Sequence, residues 1–224
     1  AELKALLPNG GEVLLPGAGL GRLALMLAAE GYAVEANDAS RLFLTFADFL
    51  LNRASKPMQL SPLAHVFSEN WGHAQQYIEI EVPSPKPQTY EGKKLPIVLT
   101  PGDFVKTYEA GGPGHRKFDA VVTSFFVDTP ADVEQLIRVL DGVLAEGGVW
   151  VNVGPLNWRK EARLKLSWEE LVMIWEKKGY EFITQKNVDC DYHMPRGAKM
   201  YTESYNCALT AAVKRGKPNS GGYS

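Results

Sequence analysis

Apolar runs and helical patterns alternate along most of the chain. Residues 13–15 form a short apolar run, and residues 22–30 then carry apolar side chains at helical spacing. The same succession recurs downstream, with strands predicted at 33–37, 97–99, 118–126 and 149–153 and helices at 2–7, 41–52, 130 or 131 to 144, and 168–178. Strands that alternate with helices are typical of a parallel sheet covered by helices on both faces.

The chain ends in two further strand patterns, at 180–188 and 206–213, which we interpret as a hairpin with a long loop. A hairpin makes the last strand antiparallel to its neighbours. The sequence therefore predicts an α/β fold with a Rossmann-like, seven-stranded, mostly parallel sheet, an antiparallel last strand and helices on both faces.

Two segments interrupt this regular pattern. Between residues 53 and 95 the periodicity dissolves around a proline-rich stretch at 83–87, and we interpret this as a large insertion after the second strand, acting as a lid. Residues 214–224 are rich in Gly, Ser and Lys, which predicts a flexible tail. Residues 1–213, which include the insertion, are predicted to be a single domain.

Composition limits the classes of partner and the compartment expected for this chain. Of the 224 residues, 45% are hydrophobic and 22% are charged, and the formal net charge of −2 gives no reason to expect nucleic acid, whose binding calls for a basic face. No apolar run has the length of a membrane span, and no metal-ligand spacing is present. The two cysteines, Cys190 and Cys207, suit a reducing compartment, so the cytoplasm is expected, with nucleus and organelles left open. A homodimer or an assembly partner also stays open.

A glycine-rich turn connects the first strand to the helix that follows it. Gly17, Gly19 and Gly21 leave the backbone bare at a helix N-terminus, where a ligand can approach closely. A dinucleotide fold requires the third glycine at the position that Arg22 occupies, so the usual dinucleotide pattern is excluded. The stretch 17–21, Gly-Ala-Gly-Leu-Gly, instead resembles motif I of the class I methyltransferases that use S-adenosylmethionine (SAM).

Carboxylates follow the next two strands. Asp38 comes after the second strand and Asp103 after the third, so both belong at the sheet edge that carries the glycine turn. Asp38 suits the two ribose hydroxyls of a nucleoside, and Asp103 with the Phe104 backbone suits its adenine. Ser124 ends the fourth strand at the same edge. The alternatives are that Asp38 caps the following helix and that Asp103 is an ordinary turn residue.

The chain also resembles one particular family, the carnosine N-methyltransferases. The matching residues cover most of the sequence, and the most specific are the stretches 125–129 (Phe-Phe-Val-Asp-Thr) and 150–156 (Trp-Val-Asn-Val-Gly-Pro-Leu). The resemblance implies transfer of a methyl group from SAM to an imidazole nitrogen of the histidine-containing dipeptide carnosine, giving anserine.

This resemblance assigns roles to individual residues. It implies SAM contacts for Gly17, Asp38, Asp103, Phe104 and Ser124, and substrate contacts for Asp128 and Tyr205. Ser124 stands where the relatives usually have cysteine, a change that preserves backbone contacts.

Asp128 is the predicted catalytic residue. A carboxylate that accepts the N–H of one imidazole nitrogen leaves the lone pair of the other free to attack, and it stabilises the positive charge that develops on the ring. The alternative is that Asp128 is the N-cap of the helix beginning near Pro130.

The chain departs from the family in two places. Arg159 stands where the family has a substrate-binding histidine, and its guanidinium can bind a substrate carboxylate but cannot accept a hydrogen bond. The family also has a helical N-terminal region that contributes SAM contacts, which this sequence does not include. Two alternatives therefore stay open, namely a different acceptor, such as a protein histidine or another small amine, and a catalytically silent structural or assembly subunit.

Overall fold

The computed structural model describes residues 1–54, 56–82, 89–90, 93–192 and 200–216. Its helices are α1 (Glu2–Leu6), α2 (Arg22–Ala29), α3 (Arg41–Asn52), α4 (His73–Gln76), α5 (Phe104–Tyr108), α6 (Val133–Val143) and α7 (Trp168–Lys177). Its strands are β1 (Gly11–Pro16), β2 (Tyr32–Asp38), β3 (Met58–Leu60), β4 (Ile80–Val82), β5 (Thr89–Tyr90), β6 (Lys93–Lys94), β7 (Ile97–Pro101), β8 (Phe118–Ser124), β9 (Leu144–Gly154), β10 (Tyr180–Tyr192) and β11 (Glu203–Lys214).

Seven of these strands form one sheet in the order β10-β11-β9-β8-β1-β2-β7. Strand β1 pairs in parallel with β2 and with β8, and β7 and β9 continue the parallel ladder on either side. Strand β11 runs antiparallel between β9 and β10. The predicted seven-stranded, mostly parallel sheet with an antiparallel last strand is confirmed.

The sheet is buried on both faces, and β1 shows how its sequence achieves this. Val13 and Leu15 point into a cluster with α1 and α2, whereas Leu14 points into a second cluster with α5, α6 and α7. All three side chains are at most 1% exposed. A strand that is covered on both faces needs apolar side chains on both. Residues 13–15 are therefore all apolar and do not alternate with polar residues.

The helix limits follow from their caps. Helix α3 has the predicted limits, and the Ser40 hydroxyl accepts the backbone N–H of Phe43 at its start. Helix α6 begins later than predicted, at Val133, because the Asp132 carboxylate caps it by accepting the backbone N–H of Gln135 at 3.0 Å. The proline at 130 therefore lies in the preceding loop.

The tail begins later than the sequence suggested. Lys214, which was assigned to the flexible tail 214–224, is the last residue of β11 and only 8% exposed. Its ammonium donates to the backbone oxygen of Asp141 at 2.8 Å and pairs with the Asp141 carboxylate at 3.1 Å. The tail prediction is wrong for Lys214, and residues 217–224 lie outside the described residues.

The predicted insertion, 53–95, lies between α3 and β7 and contains short elements of its own. Strands β3 and β4 pair with each other, as do β5 and β6, and neither pair joins the main sheet. The backbone N–H of Met200 donates to the backbone oxygen of Glu69, so the insertion contacts the end of the β10–β11 hairpin. Its role as a lid stays a prediction. Among the described residues, no helix has the length and apolar character needed to cross a bilayer.

Candidate functional site

A cavity of about 510 Å³ lies at the carboxyl ends of the central parallel strands. Six of the seven predicted cofactor residues line it, and these are Gly17, Gly19, Asp38, Asp103, Phe104 and Ser124. The elements that carry them end at the same sheet edge because β1, β2, β7 and β8 run in the same direction. This volume lies in the range of sites for small molecules.

The glycine turn is shaped to leave this cavity open. Gly17 has φ +65°, and an added Cβ there would come 2.7 Å from a ring carbon of Phe126. Gly19 has φ +55°, and a Cβ there would meet nothing within 4 Å. The backbone N–H of Ala18 donates to the Asn37 backbone oxygen at 2.9 Å, which holds the turn against the end of β2.

Gly21 is the predicted cofactor residue that does not line the cavity. It is the N-cap of α2 with φ +80°, and an added Cβ would approach the Leu51 side chain to 3.1 Å. Its missing side chain therefore allows α2 and α3 to pack closely.

Asp38 joins the glycine turn to the helix after β2. One carboxylate oxygen accepts the backbone N–H of Gly19 at 2.9 Å, and the other accepts the backbone N–H of Ser40 at 2.8 Å. The N-cap of α3 is Ser40 rather than Asp38. A carboxylate offers about four lone-pair sites, so these two bonds leave Asp38 able to accept from a ligand.

Asp103 is the N-cap of α5. Its carboxylate accepts the backbone N–H of Lys106 at 3.1 Å, so it is a cap rather than an ordinary turn residue. The Phe104 side chain is 6% exposed and packs edge-on against Phe126, with ring centroids 5.5 Å apart. This packing holds the Phe104 backbone beside the cavity.

Asn37 also lines the cavity, although no role was expected for its side chain. Its amide nitrogen donates to the backbone oxygens of Thr100 and Gly102, both at 3.0 Å, and so ties β2 to the loop that leads to Asp103. Its amide oxygen is buried and has no partner among the described residues. A buried acceptor without a partner beside a cavity suits a hydrogen-bond donor from a bound molecule.

A second cavity of about 150 Å³ adjoins the first. It brings together the three predicted substrate residues, Asp128, Arg159 and Tyr205. Phe125, Thr129, Arg159 and Tyr192 line both cavities, so a molecule in one lies next to a molecule in the other. Its volume suits a ring-sized fragment rather than a whole dipeptide.

Asp128 is 7% exposed and is held from the neighbouring loop. One of its carboxylate oxygens accepts the backbone N–H of Asn157 at 2.7 Å. The alternative that Asp128 caps α6 is wrong, since Asp132 occupies that position. Asp128 is therefore a buried carboxylate that lies beside a cavity and does not cap helix α6.

Three aromatic side chains form a wall of the second cavity. The ring of Phe125 stacks on Tyr192 with centroids 5.1 Å apart, and the ring of Tyr205 meets Phe125 edge-on at 6.0 Å. Phe125 has φ +50°, a strained conformation for a residue with a side chain. An added Cβ at Gly154 would lie 3.1 Å from the Phe125 backbone, so this glycine makes room for the strained loop.

The sequence reasoning found Phe125 as part of a motif but missed Tyr192 and Asn157 as site residues. The strand patterns at 180–188 and 206–213 put Tyr192 in the hairpin loop, whereas β10 extends to include it. Asn157 contacts two of the three predicted substrate residues, Asp128 through its backbone N–H and Tyr205 through its side-chain amide, which lies 3.5 Å from the Tyr205 hydroxyl. Its position directly after the Gly-Pro-Leu motif was the available signal.

The Tyr205 hydroxyl donates to the Glu203 carboxylate. This hydrogen bond raises the pKa of Tyr205, because loss of the proton would place two negative charges together.

Neither thiol chemistry nor metal chemistry is indicated near this wall. Burial raises the pKa of the Cys207 thiol to about 12, so the thiol stays protonated at neutral pH and is a poor nucleophile. Within the described ranges, no group of three or more His, Cys, Asp or Glu side chains is arranged to hold a metal ion.

Comparison with known proteins gives a consistent match. Residues 4–216 match the family model described as carnosine N-methyltransferase. The chain is 32% identical over 214 residues to the carnosine N-methyltransferase of Rattus norvegicus, covering 92% of this chain and 52% of the relative. It is 29% identical over 213 residues to that of Schizosaccharomyces pombe, covering 85% and 57% respectively. It thus spans about half the length of these relatives.

The fold is also found among solved structures. A SAM-dependent methyltransferase from Methanosarcina mazei superposes with a TM-score of 0.60 at 15% identity, covering 95% of this chain and 96% of that one. At this identity the likeness shows the fold alone.

Proposed function

Because the chain belongs to the carnosine N-methyltransferase family, we propose that it transfers a methyl group from SAM to an imidazole nitrogen of a histidine-containing dipeptide such as carnosine, giving anserine. The observation that carries this proposal is the pair of adjoining cavities. One is lined by bare glycine backbone and carboxylates, and the other holds the buried Asp128.

The residues around the larger cavity fit SAM. The bare backbone at Gly17 and Gly19 admits the methionine part, and the Asp38 carboxylate suits the ribose hydroxyls. Asp103 and the Phe104 backbone suit the adenine, and the buried Asn37 oxygen can accept a further hydrogen bond. When bound, SAM supplies a methyl group on a positively charged sulfur.

Asp128 sets the reactive form of the acceptor. A neutral imidazole is already nucleophilic at one nitrogen, so the site must hold the correct tautomer rather than supply a strong base. Asp128 accepts the N–H of one ring nitrogen and leaves the lone pair of the other for the methyl group. During transfer the ring becomes positive, and the buried carboxylate stabilises that charge. The N–H proton must then leave, and Asp128 is the base in contact with it.

Arg159 binds the other end of the acceptor in this proposal. Arg159 lines both cavities, and its guanidinium only donates hydrogen bonds, so it suits the carboxylate of a dipeptide. The smaller cavity holds the imidazole ring, and the remainder of the dipeptide lies at its edge, with the carboxylate at Arg159.

For the cellular setting we propose the cytoplasm, with SAM and a small peptide as partners and no nucleic acid. Support comes from Cys190 and Cys207, which are both free, and from a net charge of −2.

The test is a methyl-transfer assay with methyl-labelled SAM and carnosine. We expect one methyl group per turnover on an imidazole nitrogen, identified by NMR of the product. SAM binding without transfer to carnosine, but with transfer to a protein histidine or another small amine, would redirect the proposal to that acceptor. Failure to bind SAM at millimolar concentration in a calorimetric titration would favour a structural subunit.

A further inference from the structure

We propose that Glu203 is a positioning residue that makes the Tyr205 hydroxyl a hydrogen-bond acceptor toward the second cavity, so that the site selects acceptors bearing a protonated amino group. This inference rests on the proposed function and names the part of the acceptor that the site recognises in addition to its imidazole.

Glu203 accepts the only proton that the Tyr205 hydroxyl can donate. Glu203 and Tyr205 are two residues apart on β11 and therefore lie on the same face of the strand. One carboxylate oxygen of Glu203 accepts the Tyr205 hydroxyl, and the other accepts the Tyr201 hydroxyl at 2.8 Å. A phenol has one proton, so Tyr205 offers only its oxygen lone pair to the cavity that it lines.

The acceptor has few groups that can donate a hydrogen bond to Tyr205. A neutral imidazole has one N–H, and the proposed mechanism gives it to Asp128. The Tyr205 oxygen must therefore meet one of the two other donors of a dipeptide, its peptide N–H or its ammonium group, and the negative charge of Glu203 favours the charged one. Without substrate its near neighbour is the Asn157 side-chain amide at 3.5 Å, a long bond that a better donor can replace.

Charged groups of both signs lie around the second cavity. The Glu203 carboxylate is hydrogen-bonded to Tyr205, Asp128 is a second carboxylate at this cavity, and Arg159 is the cation among the described residues that line it. This pattern is complementary to a zwitterion, with the carboxylate of the acceptor at Arg159 and an ammonium group at the Tyr205 oxygen. An ammonium group has three donors and is attracted by the negative charge at Glu203.

The experiment compares two acceptors, carnosine and N-acetylcarnosine, in which the ammonium group is replaced by a neutral amide. We expect the wild type to favour carnosine in kcat/KM by about tenfold or more, the range of a charge-assisted hydrogen bond. Glu203→Gln should raise the KM for carnosine by about tenfold with kcat within about twofold. It should leave the KM for N-acetylcarnosine nearly unchanged.

Tyr201→Phe is the matched control. It removes the other hydroxyl bound to the Glu203 carboxylate but leaves Tyr205 in place, so the preference for carnosine should persist. An equal rise of KM for both acceptors in Glu203→Gln would make Glu203 merely structural and overturn the inference. The absence of any preference in the wild type would overturn it as well.

A second measurement separates this inference from the proposed function. In protein carrying ¹³C-labelled tyrosine, the Tyr205 resonance is the one lost in Tyr205→Phe. Its pKa should lie above the ordinary tyrosine value and should fall in Glu203→Gln, because the carboxylate charge is gone. An unchanged pKa overturns the positioning role even if methylation occurs. If neither acceptor is methylated, the proposed function fails while this titration still tests the Glu203–Tyr205 pair.

Discussion

The carboxylate of Asp128 accepts a hydrogen bond from the backbone N–H of Asn157, with 2.7 Å between oxygen and nitrogen. This bond joins the loop after β8 to the loop after β9, which are neighbouring parallel strands. Because the donor belongs to the backbone, most side chains at position 157 would preserve it. The orientation of Asp128 therefore depends on the path of the chain after Gly154, which is set by the sheet.

The first prediction is that Asp128→Asn lowers kcat for carnosine methylation by about 10²–10³-fold. The asparagine amide oxygen can still accept from the Asn157 backbone, so the loop keeps its shape. The variant loses the negative charge that stabilises the methylated ring, while the SAM dissociation constant should change by less than about twofold. Steady-state kinetics and calorimetry measure the two effects. Full turnover in Asp128→Asn would refute the catalytic role.

Asp132→Asn serves as the matched control for Asp128. Asp132 lies four residues further along the chain and caps α6 by accepting the Gln135 backbone N–H at 3.0 Å. Asparagine is also a good N-cap, so the change removes a carboxylate near the site with little loss of helix stability. Its kcat should remain within about twofold of the wild type.

The second prediction uses two glycines with positive φ and open space around them. Gly19 has φ +55° and Gly31 has φ +99°, and an added Cβ at either would meet nothing within 4 Å. Alanine at either position should lower the free energy of unfolding by about 1–2 kcal/mol, the cost of a left-handed conformation. Only Gly19→Ala should weaken SAM binding, because Gly19 lines the larger cavity. Equal SAM affinity in the two variants would contradict the cofactor assignment.

The third prediction concerns the two hydrogen bonds that Asp38 accepts, from Gly19 and from Ser40. Asp38→Asn retains one acceptor oxygen and loses the charge, so we expect SAM affinity to fall by about 10–100-fold, as for loss of a charge-assisted hydrogen bond. Ser40→Ala removes the cap of α3 and should cost about 1 kcal/mol of stability with SAM affinity nearly unchanged. Calorimetric titration and chemical denaturation distinguish the two outcomes.

Much of the fold could be predicted from the sequence because its signals are local. The apolar run at 13–15 and the helical spacing of apolar residues over 41–52 specify elements without knowledge of distant contacts, and the strand and the helix predicted from them are confirmed. The start of α6 could not be placed from local signals, since Pro130 favours the first turn of a helix but Asp132 supplies the actual cap. The end of β11 was misplaced because Lys214 pairs with Asp141, 73 residues earlier in the chain.

The site residues also fall into two groups, those that local sequence signals could predict and those that depend on distant contacts. Asp38, Asp103 and Ser124 follow strands, so parallel topology alone brings them to one edge of the sheet. Tyr192 and Tyr205 line the same cavity as Asp128 because of the β10–β11 hairpin, and the contact of Tyr205 with Glu203 belongs to the same hairpin, whose register the sequence did not define. Asn157 lay outside sequence reasoning because its backbone rather than its side chain makes the shorter contact.

The last prediction concerns acid stability and Asp141. Its carboxylate accepts hydrogen bonds from Lys178 at 2.9 Å and Tyr180 at 3.2 Å, and it pairs with Lys214 at 3.1 Å. Burial by itself raises the pKa of Asp141, but the hydrogen bonds and charges of the two lysines outweigh it and lower the pKa below its ordinary value of 3.8. A lowered pKa stabilises the folded state above that value, and this stabilisation is lost as the pH falls through the folded-state pKa.

Asp141→Asn should therefore lower the free energy of unfolding at pH 7 by about 2 kcal/mol, the range for hydrogen bonds to a charged group. The difference from the wild type should shrink as the pH falls below about 4, because the wild-type carboxylate then also loses its charge. Glu181→Gln breaks the exposed pair with Arg215 and should change stability by less than about 1 kcal/mol at either pH. Chemical denaturation at several pH values measures both variants. A difference for Asp141→Asn that persists unchanged in acid would mean that hydrogen-bond geometry at Asp141, rather than its charge, secures the end of β11.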